Sequence, residues 1–245
     1  MKTWETKNGY KILKIFAGRS NVFLLSKEGK NILVDTSPGS LWKILDRNLR
    51  RLGIERLDAL VLTHTHYDHA GNAVRVQEKY KAPVIVQHSE GPFLAGGEAI
   101  VPRGTNLLGR LLIKRLGKKL APRLTCAPCR PDILVDGSMR LEEFGFAAYI
   151  LHTPGHSPGS QSVIVDSEIA VVGDAMFGVV PWSVFPPFAA DAGQMVESWG
   201  KLLVTNCRLF LPSHGTANSR QLLQKDHDKR KKNGYKKNEQ GVQYG

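Results

Sequence analysis

The stretch THTHYDHAGN, residues 63–72, decides the fold because it places three histidines and an aspartate within six positions, directly after the apolar run 57–62. A short apolar run of this kind is typical of a buried strand. Alternate residues of an extended chain share one face, so we expect His64, His66 and Asp68 to point together. The stretch therefore predicts a cluster of ligand side chains where a strand leaves the core.

The fourth ligand candidate, His69, points to the other face unless the backbone turns. Gly71 and Asn72 are turn-forming residues beside it, so a strand that ends here and leads into a helix can present His69 as well. Imidazole nitrogen and carboxylate oxygen together suit zinc, iron or manganese. The stretch thus indicates a metal site.

Three further candidates follow other apolar runs. His156 lies in the glycine and proline turn TPGHSPGS, Asp174 follows the run ending at Gly173, and His214 follows the run LFLP. Four ligands are too few for two open catalytic metals, so additional ligands are needed. Because loops at one edge of a rigid sheet usually carry catalytic groups, we expect these three residues to join the cluster.

The apolar pattern along the chain predicts an α/β protein with two β-rich layers and helices outside them. Runs between residues 10 and 35 are separated by turn-forming residues, which indicates an antiparallel meander. Residues 37–54 have helical spacing of leucines, with Pro38 near the start and Gly53 after the end. Further helices are predicted near 72–80 and 195–205, and further strands at 82–88, 146–153, 160–166, 168–174 and 208–212.

Five motifs occur in the order and approximate spacing seen in the metallo-β-lactamase-fold hydrolases, which the chain resembles over residues 10–219. The motifs are LVDTSPG (33–39), THTHYDH (63–69), TPGHSPGS (153–160), GD (173–174) and SHG (213–215).

The resemblance implies a four-layer αββα sandwich with a dinuclear metal site between its sheets. Zinc is the metal expected, and iron or manganese are alternatives. By position, the first metal is bound by His64, His66 and His156, the second by Asp68, His69 and His214, Asp174 bridges the two, and Asp35 supports a ligand histidine from below.

Such a site predicts hydrolysis. Two cations about 3.5 to 4 Å apart lower the pKa of a bridging water enough to give hydroxide near neutral pH, and they polarise the scissile bond of the substrate. Asp68 acts together with this metal-bound hydroxide, and no serine or cysteine nucleophile is required. The reading is a hydrolase of a small-molecule ester, thioester or lactone.

The motifs are similar to those of the glyoxalase II branch, with two departures. Only 31 residues follow His214, too few for the C-terminal glutathione-binding domain, and Ser160 stands where that branch has histidine. Hydroxyacylglutathione is therefore not assigned as the substrate. Two alternatives stay open: a phosphodiesterase or ribonuclease of the same fold, and a mononuclear iron persulfide dioxygenase.

The formal net charge of +12 is concentrated in two segments. Residues 103–130 carry eight basic residues and no acidic one, within a basic helical insert at about 91–130 of the metallo-β-lactamase-like domain 1–219. The rest lies in 220–245, a polar helix and a basic tail. The insert is interpreted first as a helix packed on the domain with a solvated face. As a wall of the substrate pocket it would favour an anionic or acyl-bearing small-molecule substrate, and membrane-surface binding is the third alternative. For the basic tail, nucleic acid is the lesser alternative to a solvated segment. The oligomeric state is not assigned.

Several other residues receive no site role. His88, His152 and His227 are interpreted as capping or supporting histidines. Cys126 and Cys129 have CxxC spacing but lack a second pair, so they are interpreted as buried or idle thiols. No apolar stretch approaches the roughly 20 residues of a membrane-spanning helix, and no signal peptide is recognised, so a cytoplasmic location is expected.

Overall fold

The computed structural model describes residues 1–18, 20–98, 105 and 124–234. Their strands form two mixed sheets. The first sheet has seven strands in sequence order; it is antiparallel from β1 to β4 and parallel from β4 to β7. Its strands are β1 (Lys2–Glu5), β2 (Lys11–Ala17), β3 (Asn21–Lys27), β4 (Lys30–Val34), β5 (Ala59–Val61), β6 (Val84–Gln87) and β7 (Ile133–Val135).

The second sheet has six strands in the order β13-β12-β11-β10-β9-β8. All its pairs are antiparallel except β11 and β12, which run parallel. Its strands are β8 (Ser138–Arg140), β9 (Ala148–His152), β10 (Gln161–Val165), β11 (Ile169–Gly173), β12 (Leu209–Pro212) and β13 (Asn218–Ser219).

The described residues also form six α-helices, together with short 3-10 turns at Gly39–Leu41, His88–Glu90 and Glu142–Phe144. The helices are α1 (Trp42–Arg51), α2 (Tyr67–Ala70), α3 (Ala73–Tyr80), α4 (Gly91–Gly96), α5 (Ala192–Val204) and α6 (Arg220–Lys232).

The alternation of side chains along the strands distributes the apolar residues over three cores, one between the sheets and one on the outer face of each sheet. In β4, Ile32 packs between the sheets, where it shares a core with Val163 of β10, while Leu33 faces the opposite side and packs with Leu45 of α1. On the far side of the second sheet, Val172 packs with Trp199 of α5. The order is helices, sheet, sheet, helices, so the predicted four-layer αββα sandwich is confirmed.

The strands and helices predicted within the described residues are present. The short strands β1, β7, β8 and β13 and the one-turn helix α2 were not predicted, because each has too few residues to show a periodic apolar pattern. The predicted basic helix at 106–121 and the tail after 234 lie outside the described residues.

The polar helix α6 packs on the preceding domain. Leu223 is fully buried in the core that holds α5, and Asp226 accepts hydrogen bonds from Ser183 Oγ at 2.6 Å and from the Val184 amide at 2.8 Å. The domain boundary at 219 stays a prediction. In the part of the chain that the structure describes, no helix has both the length and the apolar character needed to cross a bilayer, and the cytoplasmic location stays a prediction.

Candidate metal centre

The candidate site lies where strands of both sheets end. In the first sheet, β4 leads into Asp35 and β5 leads into Thr63 and His64. In the second sheet, the parallel strands β11 and β12 lead into Asp174 and His214. The carboxyl ends of parallel strands meet at one edge of a sheet, which brings side chains from distant parts of the chain together.

The backbone turn after β5 differs from the prediction. His66 is still extended, with φ −60° and ψ 148°, but helix α2 begins at the next residue, and the His69 and Ala70 amides both donate to the His66 carbonyl. The expectation that Asp68 continues the extended alternation is therefore wrong. Asp68 and His69 both lie in one helical turn, and His69 Nε2 comes within 3.9 Å of Asp68 Oδ1.

His64, His66 and His156 form one group of converging ring nitrogens. His66 Nδ1 lies 2.9 Å from His64 Nε2 and 3.0 Å from His156 Nε2. His156 Nδ1 donates to the Phe188 carbonyl at 3.0 Å. Thr63 Oγ1 donates to Asp35, so it is left to accept from His64 Nδ1 at 3.1 Å.

These contacts leave the Nε2 lone pairs of His64 and His156 pointing at one ring nitrogen of His66. A single Nδ1 proton on His66 cannot satisfy both lone pairs. A divalent cation coordinated by all three nitrogens would satisfy them, so this group fits a metal ion.

Asp68, His69 and His214 form a second group. His69 Nε2 lies 3.9 Å from Asp68 Oδ1, and His214 Nε2 lies 3.6 Å from Asp68 Oδ2. Asp174 lies between the two groups: its Oδ2 is 3.4 Å from His156 Nε2 and 3.3 Å from His214 Nε2, and its Oδ1 is 3.7 Å from His69 Nε2. One carboxylate therefore reaches both groups.

Three buried atoms of the ligand side chains have no hydrogen-bond partner among the described residues: His66 Nε2, His69 Nε2 and Asp174 Oδ1. Unsatisfied buried polar atoms are uncommon in folded proteins because each costs about 1 to 3 kcal/mol. A cation coordinated by imidazole nitrogens and carboxylate oxygens would supply the missing partner of His69 Nε2 and Asp174 Oδ1.

The protonation of the site follows from burial and from its carboxylates. Burial, together with neighbouring imidazoles, lowers the pKa of His64 and His66 well below the usual range, and burial lowers the pKa of His156. Neutral imidazoles are the form that binds metal. Burial opposes protonation of His69 as well, but Asp174, Asp35 and Asp68 outweigh it and raise its pKa to about 10.

The remaining two groups titrate in opposite directions. Burial would lower the pKa of His214, yet Asp174 raises it. Burial would raise the pKa of Asp174, but the imidazoles of His69, His156 and His214 hold it below its usual range. In the metal-free protein, the proton that the raised pKa keeps on His69 thus occupies a place that suits a cation.

Asp35 lies beneath the second group and is almost fully buried. Its Oδ2 accepts from His69 Nδ1 at 2.8 Å and from Ser213 Oγ at 3.1 Å, while Oδ1 accepts from the Thr63 amide at 2.8 Å. Asp35 has φ 63°, a left-handed conformation that aspartate tolerates better than most residues. The turn after β4 thereby directs a carboxylate to the ring of His69.

Glu90 was missed by the sequence reasoning. It lies in the 3-10 turn after β6, at the same sheet edge as Asp35, and it is 1% exposed. Its carboxylate contacts the loops of His66 and His156. An acidic residue just past a buried strand, in the segment VIVQHSE, is the signal that could have identified it.

The other histidines and the cysteine pair lie elsewhere. His152 Nε2 donates to the Pro158 carbonyl at 2.8 Å, and His227 Nδ1 lies 3.3 Å from Asp228. Cys126 and Cys129 are free thiols. Burial, with Asp132 nearby, raises the pKa of Cys129 to about 12, and burial raises that of Cys126, so neither is poised as a thiolate.

An αββα sandwich with histidines and aspartates converging at its strand ends defines a class of protein, the metal-using hydrolases built on two sheets. The model of the Metallo-beta-lactamase superfamily matches residues 15–214. The chain belongs to the metallo-β-lactamase superfamily.

Individual relatives agree with this assignment. A probable metallo-hydrolase of Methanocaldococcus jannaschii is 29% identical over 177 residues, covering 71% of this chain and 77% of the relative. A hydroxyacylglutathione hydrolase of Haemophilus influenzae is 26% identical over 171 residues, covering 68% and 71%. The solved structure of a metallo-β-lactamase from Cronobacter sakazakii superposes with a TM-score of 0.67 at 16% identity, covering 95% and 94%, which is a likeness of fold.

Proposed function

We propose that the chain is a dinuclear metal-dependent hydrolase, with zinc as the metal, that cleaves an ester, thioester or lactone bond in a small molecule. The observation that carries the proposal is the position of Asp174, whose Oδ2 lies 3.4 Å from His156 and 3.3 Å from His214. A carboxylate that reaches both ligand groups is what a two-metal site requires.

The ligand roles follow from the two groups. His64, His66 and His156 would hold one ion, Asp68, His69 and His214 would hold the other, and Asp174 would contact both. When bound, two divalent cations would lower the pKa of a water molecule and polarise the carbonyl oxygen of the substrate.

Residues next to the ligand groups fix the orientation of the ligand histidines. Nδ1–H groups fixed on Phe188 O and on Asp35 aim Nε2 of His156 and His69 inward. The ring of Phe177 lies 4.5 Å from that of His214 and covers one side of it. Asp68, at 13% side-chain exposure, is more open than Asp174, and we assign it to hold a proton during hydrolysis.

Two observations support the substrate class. The relative named as a hydroxyacylglutathione hydrolase supports a thioester. The basic segment within 103–130 favours an anionic group on the substrate. The same charge is the observation behind the second candidate, a phosphodiesterase or ribonuclease.

Metal content and a substrate panel test the proposal together. Purified protein should contain two zinc ions per chain by elemental analysis, and it should hydrolyse p-nitrophenyl acetate, a thioester or a lactone faster than bis-p-nitrophenyl phosphate. One iron per chain would favour the persulfide dioxygenase instead. Preferential cleavage of the phosphodiester would favour the nuclease alternative.

Ligand variants test the two groups separately. We expect His156→Ala to empty the first position, and His69→Ala or Asp68→Ala to empty the second, as counted by elemental analysis after gel filtration. His88→Ala is the matched control, because His88 is an exposed histidine that belongs to neither ligand group. Two ions and full turnover in His69→Ala would refute the assignment.

The insert can be tested without disturbing the centre if Thr105 is kept. Thr105 donates to the Pro186 and Pro187 carbonyls, next to Phe188, which accepts from His156. Deletion of 106–123 with Thr105 retained is therefore expected to change KM and substrate preference while leaving metal content intact. Unchanged kinetics would count against a role of the insert in substrate binding.

A further inference from the structure

Glu90 joins the two loops that carry the first ligand group. Its Oε2 accepts from the Thr65 amide at 3.0 Å and from the Thr65 hydroxyl. Its Oε1 accepts from Ser157 Oγ at 2.6 Å and from the Gly159 amide at 3.1 Å. Each oxygen of this buried carboxylate thus accepts hydrogen bonds from a different loop.

The positions of these partners in the sequence matter. Thr65 lies between His64 and His66, and Ser157 directly follows His156. Each histidine of the first group is therefore next in sequence to a residue that is hydrogen-bonded to the Glu90 carboxylate. Because one loop comes from each sheet, the carboxylate links ligands that lie far apart in the sequence and in different sheets.

The packing around Glu90 leaves little freedom. A Cβ on Gly159 would lie 2.3 Å from Glu90 Cγ and 2.8 Å from Gln87 Oε1, so only glycine allows the loop to approach this closely. Gln87 Oε1 is itself held by the Ser89 amide at 2.6 Å. The turn at the end of β6 thus has a fixed shape that aims the carboxylate at both loops.

We propose that Glu90 is a positioning residue that holds His64, His66 and His156 at the spacing required by the first metal ion. The inference rests on the proposed function. Asp35 is the carboxylate bonded directly to a ligand of the second group, His69, and to Ser213, the neighbour of His214. Asp35 also accepts from Thr63, the neighbour of His64, so its main effect should fall on the second group while that of Glu90 falls on the first.

Glu90→Gln is the informative variant because it keeps the size of the side chain and removes one acceptor. In either amide orientation the NH2 group faces a backbone N–H that cannot rotate, that of Thr65 or that of Gly159. One loop is then released. We expect the affinity of the first ion to fall about 10- to 100-fold, the usual effect of losing a partner behind the ligands.

The measurement is titration of metal-free full-length protein with Zn²⁺ against a chromophoric chelator, together with the visible absorption spectrum of the Co²⁺-loaded protein. Glu90→Gln should weaken one ion and change its Co²⁺ bands, while Asp35→Asn should weaken the other. Glu197→Gln is the control, since Glu197 is an exposed residue of α5, and it should bind like wild type. Ser157→Ala removes a single bond to Oε1 and should give a smaller effect of the same kind if Glu90→Gln does not fold.

The outcomes separate this inference from the proposed function. Wild-type protein that binds no Zn²⁺ would overturn the proposed function. Wild-type protein that binds two ions, with both Glu90→Gln and Ser157→Ala showing unchanged affinity and unchanged Co²⁺ bands, would overturn the role of Glu90 alone. Equal loss of both ions in Glu90→Gln would overturn its assignment to the first group.

Discussion

The substitution Asp35→Asn tests how the second half of the centre is built. Asparagine has nearly the shape of aspartate and also tolerates the left-handed conformation at φ 63°, so the backbone turn should persist. What changes is that one of two acceptor oxygens becomes an NH2 donor. The variant therefore isolates the hydrogen bonds from the turn that presents them.

The structure predicts the consequence for each amide orientation. If the remaining oxygen stays on the Thr63 amide, the NH2 group faces His69 Nδ1, and the imidazole must move its proton to Nε2, the atom proposed to bind metal. If the amide flips, the buried Thr63 N–H loses its acceptor. The first orientation keeps a hydrogen bond but holds His69 in the tautomer that cannot bind metal through Nε2, whereas the flipped orientation breaks a buried bond, which costs about 1 to 3 kcal/mol of stability in the metal-free protein.

The effect on metal binding should be of similar size. A ligand histidine held in the wrong tautomer, or no longer held, lowers affinity about 10- to 100-fold, equivalent to roughly 1.4 to 2.7 kcal/mol. Urea unfolding in the presence of a chelator measures the first effect, and Zn²⁺ titration measures the second. Asp228→Asn, an exposed carboxylate of α6, is the control.

A clear result would refute this reasoning. If Asp35→Asn bound two ions with wild-type affinity, His69 would not depend on Asp35 for its orientation. If affinity fell while metal-free stability rose, the carboxylate would be a cost to the fold that only metal binding offsets.

Three further predictions concern other parts of the molecule. Asp226→Ala should lower stability by about 1 to 3 kcal/mol, measured by urea unfolding, because it removes the acceptor for the turn at 183–184. Zn²⁺ binding near neutral pH should release a proton and tighten as pH rises toward 10, because the raised pKa of about 10 keeps a proton on His69 in the metal-free protein. Calorimetry in buffers of different ionisation enthalpy would show this, and no proton release would contradict it. Cys129 should react slowly with iodoacetamide at pH 8, because burial raises its pKa to about 12, and rapid alkylation found by mass spectrometry would contradict this.

Local sequence patterns predicted the elements well because each pattern has a local cause. Leucines at helical spacing between Pro38 and Gly53 were enough to predict α1, since both the apolar face and the ends of the helix are determined there. The candidate ligands could be predicted for a related reason. Histidines placed just past buried strands have few structural alternatives, and sheet edges bring such positions together.

The features that the sequence did not reveal depend on contacts between distant segments. The turn at Tyr67 follows a residue with no turn-forming character, and the predicted turn residues Gly71 and Asn72 instead lie between α2 and α3. The role of Glu90 requires knowing that residues 157–159 lie against residue 65, and that depends on how the sheets dock. The pattern of residues along one sequence does not reveal which segments of the two sheets come into contact.

The contacts that hold the two sheets together lie beside the proposed metal centre. Gln161 of the second sheet donates its amide to Thr63 O at 2.9 Å and its side chain to Leu62 O at 2.8 Å, while Gly173 packs so closely on Thr63 that a Cβ there would lie 2.6 Å from it. These contacts lie directly beside His64 and Asp174. Since each proposed ion takes ligands from both sheets, binding requires the docked arrangement and must stabilise it, by about 2.7 kcal/mol for each site when free metal is 100 times its Kd. Changes at the interface between the sheets should therefore weaken metal binding, even where they touch no ligand.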